Sequence, residues 1–386
     1  MEWMRHRKVN FGHRDYAFHL TLIAKIEGIQ VAEEYLASLP PNFQNELTYG
    51  CLLNSYCKEL LAEKALQLFK KMDDLHLLKS ALPFNSLMSM HLKLGQPEEI
   101  LSLVEKMRLQ DIHMDACTYN IRMQGYSSSD DIEGVEAVLN ELRKAGNVKC
   151  GWTVYSNLAS IYVKAGRLEK AEIALKGMEV EMGRGNRDPY HFLISLYAAI
   201  SKPREVHRVW RLLKADLRVA TNQSYCVLIP ALAKVGDVDG LRKCFDEWES
   251  SCSYYDVKVV NSFIRAFLDH SEQEEAMSVY EKAKERCESK LFRAREMFMV
   301  YALKCKNMDL ALVHLRASLS ECRLEGLEWQ PKMQTLDAFS IYFQEEKNCD
   351  DAQKLSKVLE NASVEAAASE FIQKLCKAAG KSKNVN

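Results

Sequence analysis

The amino-acid sequence predicts an all-α solenoid of about ten stacked helical hairpins. Three observations predict it: an aromatic residue that recurs at a fixed interval, apolar residues at helical spacing after each recurrence, and a second helical stripe that follows a break. The anchors Tyr49, Phe84, Tyr119, Tyr155, Tyr190 and Tyr225 are separated by 35, 35, 36, 35 and 35 residues. The series extends back to Tyr16 and forward through Val260, Arg295, Leu336 and Ser369, giving eleven starts, ten complete units and a final half. Such a period marks an array in which each unit buries its apolar face only against its neighbours.

The first helix of each unit follows from the residues after the anchor. With the anchor numbered position 4, positions 7 and 8 hold Leu52 and Leu53, Leu87 and Met88, Leu193 and Ile194, or Phe263 and Ile264. Position 11 holds Tyr56, Tyr126, Tyr162, Tyr197 or Phe267. A 4, 7, 8, 11 spacing is one face of an α-helix. Position 15 is Gly95, Gly166 and Gly236 in three units, and glycine just past a periodic stretch marks a helix C-terminus.

The second helix starts at once. Pro97 and Pro203 fall at position 17, where a first helical turn has no partner for the missing N–H. Position 20 is often small (Ala32, Ala65, Ala171, Ala276, Ala311), position 24 is Leu36, Phe69, Trp210 or Tyr280, and position 27 is Met72, Met107, Met178 or Trp248. This second stripe makes each unit a hairpin, with its small residue expected where two helices approach closely.

Composition excludes several classes. The 386 residues are 47% hydrophobic and 27% charged, as expected of a folded chain. No apolar run is long enough to span a bilayer, which takes roughly 18 residues, so no membrane partner is expected. With 52 Lys+Arg against 53 Asp+Glu the formal net charge is -1, so no overall basic charge argues for nucleic acid. The twelve cysteines are scattered, with no CxxC and no zinc-finger spacing. They read as free thiols in a reducing compartment, with no metal site and no cofactor. No Walker loop, HExxH, GxSxG or dinucleotide fingerprint occurs. No enzyme chemistry and no small-molecule substrate are therefore expected, and His91, at a position mostly aromatic elsewhere, reads as a packed ring.

Among helical repeats of this period, the tetratricopeptide pattern fails because position 8 is large and apolar instead of glycine. The chain resembles the pentatricopeptide repeat instead. Cys117-Thr118-Tyr119-Asn120 matches the family's opening V-T-Y-N, and Ala65-Leu66-Gln67-Leu68-Phe69-Lys70-Lys71-Met72 matches its second helix. Tyr162 to Ala171, with Gly166 and Glu169 in register, matches the joint between the two. The resemblance covers about residues 14 to 380 and is closest to the P-type subclass typical of plant organelles. It implies a right-handed superhelix that binds single-stranded organellar RNA at about one base per repeat, read by positions 5 and 35. Such bases are splayed and offer their Watson–Crick edges.

Carried over residue by residue, the resemblance implies that Asn85 with Asp115 is a uracil pair and that Ser156 with Asn186 is an adenine pair. Asn120 keeps half a pair beside Gly151, as do Cys226 with Asp256 and Asn261 with Leu291. His191 with Thr221 is unusual, and Glu296 with Lys332 fits neither, the anion being expected to repel phosphate. The same Asn, Ser and Asp residues are also suited to cap helices. The run Lys202, Arg204, His207, Arg208, Arg211, Lys214 and Arg218 reads as a solvated second-helix face or a phosphate footprint. Glu272 to Glu275 reads as a helix start favoured by the macrodipole.

The expected organisation is an upstream remnant over 1–13, the array over 14–362, a closing helix over 363–380 capped by Ser363, and a polar tail over 381–386. A longer loop is expected around Gly326 to Pro331. No transit peptide is visible, which suggests an N-terminal truncation, and the mitochondrion, with the chloroplast as alternative, follows from the resemblance. The expected function is RNA binding in organellar processing, stability or translation. The alternative is a scaffold contacting ribosomal proteins or rRNA.

Overall fold

The computed structural model describes residues 11–146, 150–252, 254–287, 291–324, 332–346 and 348–361. The described residues are helical with short connections, and they fall into two compact units, Met1–Gly183 and Arg184–Asn386. The first unit holds five hairpins: α1 (His13–Ile26) with α2 (Ile29–Ser38), α3 (Glu46–Lys58) with α4 (Ala62–Asp74), α5 (Ala81–Lys93) with α6 (Pro97–Leu109), α7 (Ala116–Ser128) with α8 (Ile132–Ala145), and α9 (Trp152–Lys164) with α10 (Leu168–Glu181). The second holds five more: α11 (Asp188–Ala199) with α12 (Pro203–Leu217), α13 (Asn222–Lys234) with α14 (Val238–Ser251), α15 (Val257–Asp269) with α16 (Gln273–Arg286), α17 (Phe292–Lys304) with α18 (Met308–Leu324), and α19 (Met333–Glu346) with α20 (Cys349–Asn361). These are the ten hairpins the period predicts. The expected closing helix, its Ser363 cap, the polar tail, the loop at 326–331 and residues 1–10 lie outside the described residues.

Within each unit the first helix of a hairpin packs on its own second helix and on the first helix of the next hairpin. The anchors make this junction. Phe84 meets Phe69 of the preceding second helix edge-on at 5.1 Å, and Tyr225 meets Trp210 in the same way at 5.2 Å. Such ring pairs contribute about 0.5–1.5 kcal/mol beyond the area they bury. Where hairpins eight and nine lack an aromatic anchor, Phe263 and Phe298 at position 7 meet Phe245 and Tyr280 instead, at 5.2 and 6.0 Å. The small residues at position 20 are fully buried: Ala32, Ala65, Ala171, Ala276 and Ala311 each expose 0% of their surface.

Position 15 carries more than its three glycines indicate. The backbone is left-handed there in eight successive hairpins: at Gly95, Gly166 and Gly236, but also at Leu60, Asp130, Ser201, Ser271 and Lys306, with φ between 55° and 72°. The turn between helices sets this conformation, and five side chains adopt it at some strain.

Charged residues of the second helices pair between hairpins in two ladders. Position 21 of one hairpin meets position 19 of the next in Glu33–Lys64, Glu136–Lys170 and Arg242–Glu275. Position 28 meets position 26 in Asp73–Lys106, Arg108–Glu141, Lys214–Glu247 and Glu249–Lys282. Each pair is half-exposed and contributes at most about 1 kcal/mol. Part of the basic run is taken up in such pairs. Lys214 reaches Glu247 at 2.8 Å, His207 reaches Asp237 at 2.5 Å and Arg208 reaches Glu205 at 2.6 Å. Glu272 and Glu275 serve Arg242 at 3.1 and 2.6 Å as well as starting α16.

A Cβ added at Gly166 would meet nothing within 4 Å, so Gly166→Ala isolates the backbone term. Gly166→Ala should lower the unfolding free energy by about 1 kcal/mol, while Leu60→Gly should raise it by roughly 0.5–1 kcal/mol. Urea denaturation checks both, and shifts of the same sign would contradict the strain assigned to position 15.

Candidate nucleic-acid interface

The residues at positions 5 and 35 come together because the last residue of a hairpin caps the next first helix. Asp115 caps α7, its Oδ1 accepting from the Thr118 backbone N–H at 2.8 Å. The same oxygen accepts from Asn85 Nδ2 at 3.1 Å, and the Thr118 hydroxyl lies 2.8 Å from Asn85 Oδ1 and 2.9 Å from Asp115 Oδ1. The three side chains close a polar triangle between consecutive first helices. Asp115 Oδ2 makes no hydrogen bond with a described residue. One Asn85 amide hydrogen is likewise uncommitted. An acceptor beside a donor is the complement of an imide edge, an N–H next to a carbonyl.

The triangle recurs with other chemistry. His191 Nε2 lies 2.9 Å from the Ser224 hydroxyl, which lies 3.2 Å from Thr221 Oγ1, and Thr221 caps α13. Burial holds the His191 imidazole below its ordinary range, so at neutral pH it is an uncharged ring. Position 3 supplies the hydroxyl each time, with Thr118 and Ser224 both fully buried. Sequence reasoning missed this third member. Its signal was the hydroxyl one residue before the anchor in Thr118-Tyr119 and Ser224-Tyr225.

Other expected pairs fare differently. Asn120, whose partner slot is Gly151, is met from the next hairpin by Asn157, whose Nδ2 donates to Asn120 Oδ1 at 3.3 Å. Asp256 caps α15 and accepts from Asn222 Nδ2 at 3.2 Å, leaving Cys226 half-buried with its thiol pushed up by burial. Ser156 donates to its own helix at Thr153 O, 3.0 Å away. Asn186 belongs to the second unit, where it accepts from the Asp188 N–H at 3.0 Å, and Arg187 takes the cap instead. Asn85 and Ser156 are only 5% and 7% exposed, more covered than free reading groups would be, Asn85 because the next hairpin uses its amide and Ser156 because its own helix takes its hydroxyl. Asp115, in contrast, is exposed.

Glu296, the anion expected to repel phosphate, is a further case. It is buried, and burial raises its carboxyl above the ordinary range, against the pull of Lys332 and Arg293. Asn261 is half-buried, and its Oδ1 has no hydrogen-bond partner among the described residues. His91 is packed as expected, with Nδ1 2.9 Å from Gln96 Oε1. No cluster of metal-ligating side chains occurs among the described residues, and none of their helices is long and apolar enough to cross a membrane.

Residues 47–77, 83–112, 117–147 and 153–181 match the family model described as PPR repeat. The mitochondrial pentatricopeptide repeat-containing protein At1g02370 of Arabidopsis thaliana is 41% identical over 361 residues, spanning 93% of this chain and 67% of its own length. The chain belongs to the pentatricopeptide repeat family. The Arabidopsis thaliana large ribosomal subunit protein mL101 is 37% identical over 99% of this chain and 78% of its own. The solved pentatricopeptide repeat protein PPR10 from maize matches with a TM-score of 0.63 at 16% identity over 97% of this chain. PPR10 in complex with an 18-nt psaJ RNA element matches with a TM-score of 0.62 at 17% identity over 93%. The chain spans little more than half of those structures, 56% and 57%, and at that identity the likeness is one of fold.

Thr118→Val keeps the shape of the side chain and removes the hydroxyl from the pentatricopeptide triangle. It should cost about 1–3 kcal/mol of stability, the penalty for leaving Asn85 Oδ1 buried and unmatched. A urea midpoint equal to that of the wild type would remove Thr118 from the constellation.

Proposed function

We propose that this chain binds single-stranded RNA along its first helices, in mitochondria, and acts by occupying the RNA and not by cutting it. The observation that carries this reading is the Asn85–Thr118–Asp115 triangle. It holds a donor and an acceptor side by side at a hairpin junction, in the geometry that suits a uracil edge. A neutral, hydrogen-bonded His191 at the equivalent place in the second unit fits a second, different base contact. The mitochondrial names of the most similar relatives support the compartment, and the RNA-bound PPR10 structure supports the ligand class. Bound RNA of this kind is shielded or remodelled, which suits processing, stability or translation.

Enrichment from a random RNA library tests the reading. A preference for uracil at one position, lost on replacing Asn85 and Asp115 together with Ala at a cost of about 1–3 kcal/mol, is the expected outcome. An unchanged preference in the double variant would remove the pair from the reading face. The second reading is a ribosome-associated scaffold, favoured by the near full-length match to mL101. Co-sedimentation with a mitochondrial ribosomal subunit, together with RNA binding that has no base preference, would select it.

A further inference from the structure

The second unit holds a cleft that neither the pairing code nor the ion-pair ladders use. It is about 630 Å³ in volume and opens between α13, α15 and α17. Lys234, Lys258, Arg265, Arg293 and Lys332 line it, with Asn261 between them. All five cations are exposed and none forms an ion pair with a described residue, although Lys332 and Arg293 act on the buried Glu296 beside the cleft. Asp269 is the one carboxylate among the lining residues. Lys258, Asn261 and Arg265 follow at intervals of three and four, so they share one face of α15. Three cations on second helices of the same unit are the opposite case, since Lys214, Arg242 and Lys282 are each matched by a neighbour's acid. Cations left unmatched on one face, in a chain with a formal net charge of -1, make a local positive field that the total conceals.

Two of these places lack the charge in hairpins three to five, although position 13, which holds Lys234 here, is Lys25, Lys58, Lys93 and Lys164 in four hairpins of the first unit. Position 2, which holds Lys258 and Arg293 here, is Leu82, Cys117 and Thr153 in hairpins three to five, and position 9, which holds Arg265, is Ser89, Gln124 and Ser160. The cleft also carries the orphaned Asn261 Oδ1, a buried acceptor with no donor among the described residues. A polyanion bearing N–H groups meets both needs, phosphates toward the cations and one base N–H toward Asn261. Every nucleobase that pairs has such a donor, and position 35 here is the buried apolar Leu291, which adds no second reading group.

We infer that this cleft is the electrostatic anchor of the protein for RNA: it holds the phosphate backbone of single-stranded RNA with little base preference, while the Asn85–Asp115 junction supplies selectivity. The inference rests on the RNA-binding reading above and adds where the affinity resides.

Fluorescence anisotropy with labelled U12, A12 and C12 oligonucleotides on the full chain tests it. Arg265→Gln combined with Arg293→Gln should weaken all three by at least about tenfold. It should also make the log–log salt slope shallower by roughly 1.4, two single-strand phosphate contacts at about 0.7 each. Lys258→Gln alone, a milder exposed change, should weaken all three about threefold. The matched control Arg204→Gln with Arg211→Gln, on exposed residues of the second helix α12, should stay within about twofold of wild type. Equal melting temperatures establish that the variants are folded. If the wild type binds RNA and the Arg265/Arg293 variant binds it equally well, the anchor is refuted and the RNA reading stands. If the control loses as much, or only U12 is weakened, the anchor is refuted as well. A labelled poly-glutamate 12-mer bound as tightly as U12 would assign the cleft to acidic protein. A wild type that binds neither the oligonucleotides nor the random library would overturn the RNA reading itself.

Discussion

Each hairpin of this chain presents an apolar stripe that its own two helices cannot cover, and the rest of the structure follows from how the next hairpin covers it. The cover is specific. An aromatic side chain on one first helix lies edge-on against an aromatic of the preceding second helix, as Phe84 does on Phe69 and Tyr225 on Trp210. An alanine at position 20 lets the helices approach, and its exposure is 0% in five hairpins. Where the anchor slot holds Val260 or Arg295, the aromatic contact moves one turn along to Phe263 or Phe298. The contact is kept while the residue that makes it changes, as expected if stacking, and not any one side chain, supplies the stability.

The same stacking decides what polar residues can do. Consecutive hairpins bring residues about one period apart into contact, so a side chain at a junction has a partner on the next hairpin. Capping and base reading thereby draw on the same atoms. Asp115 caps α7, holds Asn85 and still has one carboxylate oxygen uncommitted among the described residues. A capped junction is thus a pre-organised one, with its donor and acceptor fixed before any ligand arrives, which lowers the entropic cost of binding. Asn261 shows the converse, since with Leu291 at position 35 its carbonyl oxygen is left without a donor among the described residues.

Charge is divided by face. On the second helices the two ladders set Lys and Arg against Glu and Asp of the next hairpin, so these charges largely cancel. On the first helices of hairpins eight and nine Arg295 pairs with Glu321, but Lys258, Arg265 and Arg293 form no ion pair among the described residues. A near-zero total is therefore compatible with a strongly basic cleft, and the composition, which offered no argument for a nucleic-acid partner, described the sum and not the distribution.

Periodicity alone determined the helices, their order and their buried faces. Tyr16 to Leu336 gave the ten hairpins, and Gly95, Gly166 and Gly236 marked the left-handed turns, because a fixed interval of apolar residues has only one helical solution. The resemblance to the pentatricopeptide repeat singled out positions 5 and 35, so Asn85 and Asp115 were legible as neighbours although 30 residues apart. The tertiary structure decided the rest. That Leu60 and Lys306 share the glycine conformation follows from the turn and not from their side chains. That Thr118 completes the triangle, that Lys214 is taken by Glu247 while Arg265 is not taken at all, and that Ser156 and Asn186 fall in different units depend on how hairpins cross. A period fixes which turns of helix lie side by side. Which atoms meet there depends on helix tilt and rotamer, and these are set by packing that no single repeat contains.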